Sequence, residues 1–91
     1  MNLLKIILFK SKLCVSCKKI EPIFQNLIHE YKDKISMEII DIQENENLAI
    51  NFSVLSVPTI LFIQNGKEID RISGYVREEK LKEKIKKLCK D

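Results

Sequence analysis

Two cysteines separated by two residues, Cys14-Val15-Ser16-Cys17, are the part of this 91-residue sequence whose types and spacing suit covalent chemistry. Disulfide exchange needs one thiolate that attacks and a second thiol near enough to expel the captured partner, and a Cys-x-x-Cys pair supplies both. Residues three apart in a helix share a face. If Cys14 caps a helix, its sulfur meets unpaired backbone N–H groups and the positive end of the helix dipole, while Cys17 sits one turn in and less exposed. Cys14 is then the attacking sulfur and Cys17 the resolving one. A helix terminus contributes roughly 0.3 to 1 kcal/mol to an exposed charge, and a pKa change of one is about 1.4 kcal/mol, so the dipole needs help. The Cys17 sulfhydryl, the Ser16 hydroxyl, Lys12 and Lys18 are available donors and charges. Bringing a thiol from about 8.5 to about 7 increases its thiolate fraction at neutral pH more than tenfold, and such a shift is expected for Cys14.

A Cys-x-x-Cys is also half of many zinc sites, but zinc takes four ligands, and only Cys89 and His29 remain, neither in a second knuckle. No metal and no tightly bound cofactor is expected. Cys89 falls beside the apolar stripe of a terminal helix, where a free cysteine acts as a small buried hydrophobe; the alternative is an exposed thiol open to glutathionylation or cross-linking. His29 follows Ile28 on the polar side of its helix and reads as solvated.

The elements that must position the pair follow from periodicity. Leu3 to Phe9 is an Ile- and Leu-rich run, too short for a typical helix, and reads as a strand covered on both faces. Lys10 to Leu13 form a short loop. From about Val15 to Lys32, Ile20, Ile23, Phe24, Leu27, Ile28 and Tyr31 recur at helical spacing. A strand at about Ser36 to Ile42 follows, then the polar run Gln43 to Asn47 and a short helix around Leu48 to Phe52. Thr59 to Ile63 is a nearly continuous apolar strand, and Asn65-Gly66 is a strong signal for a tight hairpin, so Lys67 to Ser73 runs back beside it. A last helix, about Val76 to Lys90, places Leu81, Ile85, Leu88 and Cys89 on one side, with Lys and Glu on the other as a solvated face or a docking face for a reductase. With a right-handed crossover this is an α/β fold, βαβ followed by α and ββα, with a four-stranded mixed sheet and helices on both faces. Chemistry belongs beyond the C-terminal end of the first strand, where Cys14 falls.

Length and composition bound the rest. Ninety-one residues suit one domain spanning 1–91, and 45% apolar with 32% charged residues and only two Gly and two Pro describe a folded chain. A net charge of +3, with Lys and Arg interleaved among Glu and Asp, provides no stripe for nucleic acid. The apolar run near the N-terminus is interrupted by Lys5 and has no cleavage site after it, and no stretch is long enough to span a bilayer. A cytoplasmic monomer is expected, and a cysteine pair there points to redox work.

These landmarks, spread over nearly the whole chain, resemble the thioredoxin family. Cys14-Val15-Ser16-Cys17-Lys18 is similar to the family's active-site Cys-x-x-Cys-Lys, and Pro22 to the proline of the active-site helix, although Pro22 also suits a first helical position. Asp41 matches the acidic residue ending the next strand, Ser56-Val57-Pro58-Thr59 resembles the cis-proline segment, and Gly74 the glycine lining the substrate groove. The resemblance implies a thioredoxin fold, a cis Pro58 facing the cysteines, and substrate contacts at Val57, Pro58 and Gly74. Four positions depart from the family. Val-Ser replaces Gly-Pro between the cysteines, Leu13 replaces a tryptophan, and Leu8 stands where the family has a buried aspartate that assists the resolving cysteine. The chain also lacks the extra N-terminal strand and helix of full-length members.

The reading is a protein disulfide reductase serving electron transfer and redox homeostasis, acting on disulfide-containing proteins and recharged by a thioredoxin-reductase-type or glutathione donor. Two alternatives stand beside it: a glutathione-dependent, glutaredoxin-like reductase, and a non-catalytic module that binds a partner or carries a metal.

Overall fold

The structure, a computed structural model, describes residues 4–89. The first strand's expected start at Leu3 and the last helix's expected end at Lys90 lie outside those residues. The chain runs β1 (Leu4–Lys10), α1 (Val15–Glu30), β2 (Ile35–Asp41), α2 (Glu46–Asn51), β3 (Thr59–Gln64), β4 (Lys67–Ser73) and α3 (Glu78–Leu88). The strands form one sheet in the order β2-β1-β3-β4, with β1 and β2 parallel and the other neighbours antiparallel.

The central strands read as nearly continuous apolar runs because both of their faces are covered. Successive side chains of a strand point to opposite faces. Leu4, Ile6 and Leu8 of β1 and Ile60 and Phe62 of β3 therefore enter one core with Ile20, Phe24 and Leu27 of α1 and Leu81 and Ile85 of α3. Ile7 and Phe9, with Leu61 and Ile63, enter a second core with Ala49 and Val54. Full burial of such a side chain contributes about 1.5–3 kcal/mol, so the two cores together hold the sheet between its helices. Edge strands β2 and β4 carry the polar residues that a regular alternation leaves outside.

Element boundaries shift where capping rather than apolar spacing decides them. α1 closes at Glu30, because the turn at 31–34 bends back through the Lys34 and Ile35 amides, which both donate to the Tyr31 carbonyl. α2 begins at Glu46 with Asn45 as its cap, and α3 at Glu78 with Arg77 as its cap. Each opens with polar residues that hydrophobic periodicity does not mark, Glu46-Asn47 and Glu78-Glu79-Lys80, yet Glu there complements the positive end of the helix. The hairpin turn is as expected: Asn65 and Gly66 have φ of 55° and 79°, the double left-handed conformation that matches strand twist.

Edge strand β4 is tied to α3 by Asp70, whose carboxylate accepts from Lys84 Nζ at 2.6 Å. That hydrogen bond, outweighing partial desolvation, holds the Asp70 carboxyl below its ordinary range, and the charge of Lys87 adds to it. A depressed folded-state pKa stabilises the native chain above the unfolded value, and the contribution disappears as pH falls through the folded one. Lys84→Ala should therefore lower stability at neutral pH by at most about 1 kcal/mol, since the pair is one-third exposed. Urea midpoints of the variant and the parent should converge as pH falls from about 5 to about 2.

Candidate active site

One end of the sheet gathers every element that the chemistry needs. Phe9 of β1 pairs with Thr59 of β3, Thr59 with Ser73 of β4, and Lys10 with Asp41 of β2. The loop leading to Cys14, the Ser56–Pro58 segment and Gly74 thus emerge side by side.

Cys14 is the N-cap of α1, with φ −85° and ψ 111°, and its Sγ accepts a hydrogen bond from the Cys17 amide at 3.1 Å. A helix start leaves its first amides without intrahelical partners, and a sulfur here takes the place that Ser or Asp oxygens usually fill. The two sulfurs are joined in a disulfide, with the Cα atoms 5.2 Å apart. Cys14 is half-buried, whereas Cys17 is 1% exposed. This asymmetry assigns one sulfur to the surface and the other to the interior. Ser16 is half-buried between them. Pro22 lies inside α1, exposed and well past the first turn, so the alternative placement at the first helical position does not occur.

The charges around the motif are mostly basic or paired. The first turn of α1 contains no acidic residue, and two carboxylates pair with the lysines that precede the motif, Glu21 with Lys10 and Glu44 with Lys12, each at 3.7 Å. Lys18 and Lys19 follow the motif and are exposed. Leu8 is fully buried in the core shared with α1, so β1 supplies no carboxylate beneath the motif. Asp41 is buried but turned to its own loop, where Oδ1 accepts from the Gln43 amide at 2.8 Å.

The opposing segment is fixed by hydrogen bonds. The Val57–Pro58 peptide is cis. Thr59, 1% exposed, donates through Oγ1 to the Ser56 carbonyl at 2.7 Å, and the Gly74 amide donates to the Pro58 carbonyl at 2.8 Å. Pro58 is buried, and Val57 is half-buried against the second core. Around this end stand apolar side chains that burial did not claim: Leu13 is 86% exposed and Leu55 96%, with Val15 and Tyr75 also exposed. Exposed apolar side chains collected beside a reactive group mark a contact surface for a partner. Leu55 and Tyr75 carry no local signal of their own; only their closeness in sequence to Val57 and Gly74 marks them. Cys89 caps the C-terminus of α3, partly buried against the first core, and His29 is exposed. A shallow cavity of about 500 Å³ lies at the opposite end of the sheet, by Lys5, Ser36 and the Asn65-Gly66 turn, away from the cysteines.

Comparison with known proteins agrees with this arrangement. The family model described as Thioredoxin matches residues 2–87. A thioredoxin of Staphylococcus saprophyticus is 34% identical over 74 residues, covering 81% of this chain and 71% of the relative. A thioredoxin of Staphylococcus haemolyticus is 31% identical over 83 residues, covering 91% and 80%. The X-ray structure of Fasciola hepatica thioredoxin superposes with a TM-score of 0.86 at 35% identity, covering 93% of this chain and 80% of that one. These relatives favour the protein disulfide reductase over the glutaredoxin-like and metal-carrier alternatives.

Gly74 has φ +90°, a conformation that L side chains rarely adopt, and an added Cβ would meet nothing within 4 Å. Gly74→Ala should therefore fold without a clash yet lose about 1–3 kcal/mol to backbone strain, read from urea unfolding.

Proposed function

Because the chain belongs to the thioredoxin family and is a thiol-disulfide oxidoreductase that reduces protein disulfides, we propose that Cys14 makes the attack and Cys17 resolves it. The carrying observation is Cys14 Sγ at the N-cap of α1, 3.1 Å from the Cys17 amide, with the first sulfur accessible and the second buried. A backbone donor and a helix N-terminus stabilise a thiolate relative to a thiol.

In the reduced enzyme the Cys14 thiolate displaces one sulfur of a substrate disulfide, which leaves as a thiolate and takes up a proton. Cys17 then gives up its proton and attacks Cys14 Sγ in the mixed disulfide, and the second substrate sulfur leaves as a thiolate that takes up a proton. Two electrons pass to the substrate, and the Cys14–Cys17 disulfide is left. Burial alone keeps Cys17 from competing for the first attack. An extended substrate segment pairs with the Val57 backbone, with Pro58 and Gly74 forming the groove and the apolar side chains of Leu13, Val15, Leu55 and Tyr75 at its rim. A thioredoxin-reductase-type flavoenzyme restores the dithiol, and the protein works as a cytoplasmic monomer of one domain. Among the described residues no helix is long and apolar enough to cross a membrane.

With Cys17→Ser, incubation with a protein disulfide should accumulate a mixed disulfide on Cys14, seen as a mass shift that dithiothreitol reverses; full turnover by this variant would refute the resolving role. Cys14→Ser should form no adduct. Alkylation of the reduced protein against pH should show Cys14 titrating below an unperturbed thiol, and titration at or above the ordinary value would remove the helix-terminus argument. Equilibration in thiol buffers should place the pair near about −270 mV; about −200 to −230 mV would point instead to a glutathione-linked cycle.

A further inference from the structure

The substrate-facing segment between α2 and β3 hangs from β4 at both ends. At its far end the Gly74 amide holds the Pro58 carbonyl. At its near end the Arg71 guanidinium reaches across to the C-terminus of α2, where Nη2 donates to the Phe52 carbonyl at 2.7 Å and Nη1 to the Ser53 carbonyl at 3.3 Å. α2 has no basic residue in its last turn, and Ser53 follows in a left-handed conformation with φ 55°. The Leu48, Ala49 and Ile50 carbonyls accept locally from the Phe52, Val54 and Ser53 amides, and the two carbonyls that follow the helix, Phe52 and Ser53, are satisfied from a distant strand. Phe52 is anchored as well, its ring tilted against Phe9.

Arg71 is itself held. Its Nε and Nη2 donate to the two carboxylate oxygens of Glu68. Residues an odd number apart on a regular strand face opposite sides. Here Phe62 pairs with Asp70 and Ile63 with Glu68, so Ile69 is the extra residue of a β-bulge, and the bulge brings Glu68 to the side of Arg71. The fork geometry of guanidinium serves the carboxylate and both carbonyls together, which a lysine ammonium cannot do.

We propose that Arg71 is a positioning residue: clamped by Glu68, it fixes the end of α2 and so holds the Phe52–Pro58 segment, with the Val57 backbone, ready for an extended substrate chain. The role rests on the reading of Val57 and Pro58 as substrate contacts. Arg71 touches neither sulfur, so its effect belongs to protein substrates and not to the thiol pair.

The test compares Arg71→Ala, Arg71→Lys and Lys84→Ala, the last breaking a β4 ion pair on the other face of the sheet. Insulin serves as protein disulfide and a small aromatic disulfide as the probe of Cys14 alone. Arg71→Ala should raise KM for insulin about fivefold, equivalent to about 1 kcal/mol, with kcat within about twofold. The rate with the small disulfide and the pH profile of Cys14 alkylation should be unchanged, and the amides from Phe52 to Val57 should exchange faster with deuterium. Arg71→Lys should recover only part of the loss, and Lys84→Ala should match the parent in KM. An unchanged KM with parental exchange in the segment would overturn the clamp, as would an equal fall with the small disulfide or the same KM rise in Lys84→Ala. A parent chain that fails to reduce insulin would overturn the reading of the site itself, and the role of Arg71 with it.

Discussion

Burial of β1 and β3 on both faces is the constraint from which the rest of the structure follows. Leu4, Ile6 and Leu8 face one way and Ile7 and Phe9 the other, so neither face is left to solvent. Helices must then lie on both sides of the sheet, and the chain must leave β1 at its C-terminal end to reach the first of them. The turn that makes this departure ends at Cys14. The reactive sulfur is thus at a helix start because a doubly covered strand has nowhere else to send the chain.

The chemistry of the site is built mostly from backbone. The sulfur of Cys14 is met by an amide and by a helix end, not by a neighbouring base. Leu8 is buried hydrocarbon in the core shared with α1, and Asp41, the buried acid at this end of the sheet, uses Oδ1 to close its own turn while Oδ2 is buried without a hydrogen-bond partner among the described residues. Lys10 and Lys12 each pair with a carboxylate, which spares the sulfur an opposing negative field. The same end of the sheet leaves Leu13 and Leu55 almost wholly in water, a cost offset only when a partner covers them.

Edge strand β4 has a second function besides completing the sheet. Arg71, and Gly74 just beyond the strand, bond the two ends of the Phe52–Pro58 segment, while Asp70 on the other face of β4 is bound to α3. Strand alternation alone would separate these duties cleanly; the bulge at Ile69 is what lets Glu68 join Arg71.

The sequence by itself determined the element types, the cysteine pair and the hairpin, because each rests on interactions within a few residues. Alternating burial, helical spacing from Ile20 to Tyr31, and the φ > 0 demands of Asn65-Gly66 are local physics. The landmarks from Cys14 to Gly74 carried the family as well. Helix starts at Glu46 and Glu78 differ from the apolar spacing, which marks Leu48 and Val76, because the first residues of each helix are polar. Only the tertiary structure decided that Leu55 and Tyr75 border the same end of the sheet, and that Arg71 serves the carbonyls that follow α2. Those outcomes depend on which strand ends meet and on one inserted residue in β4, contacts between segments far apart in sequence that no local pattern encodes.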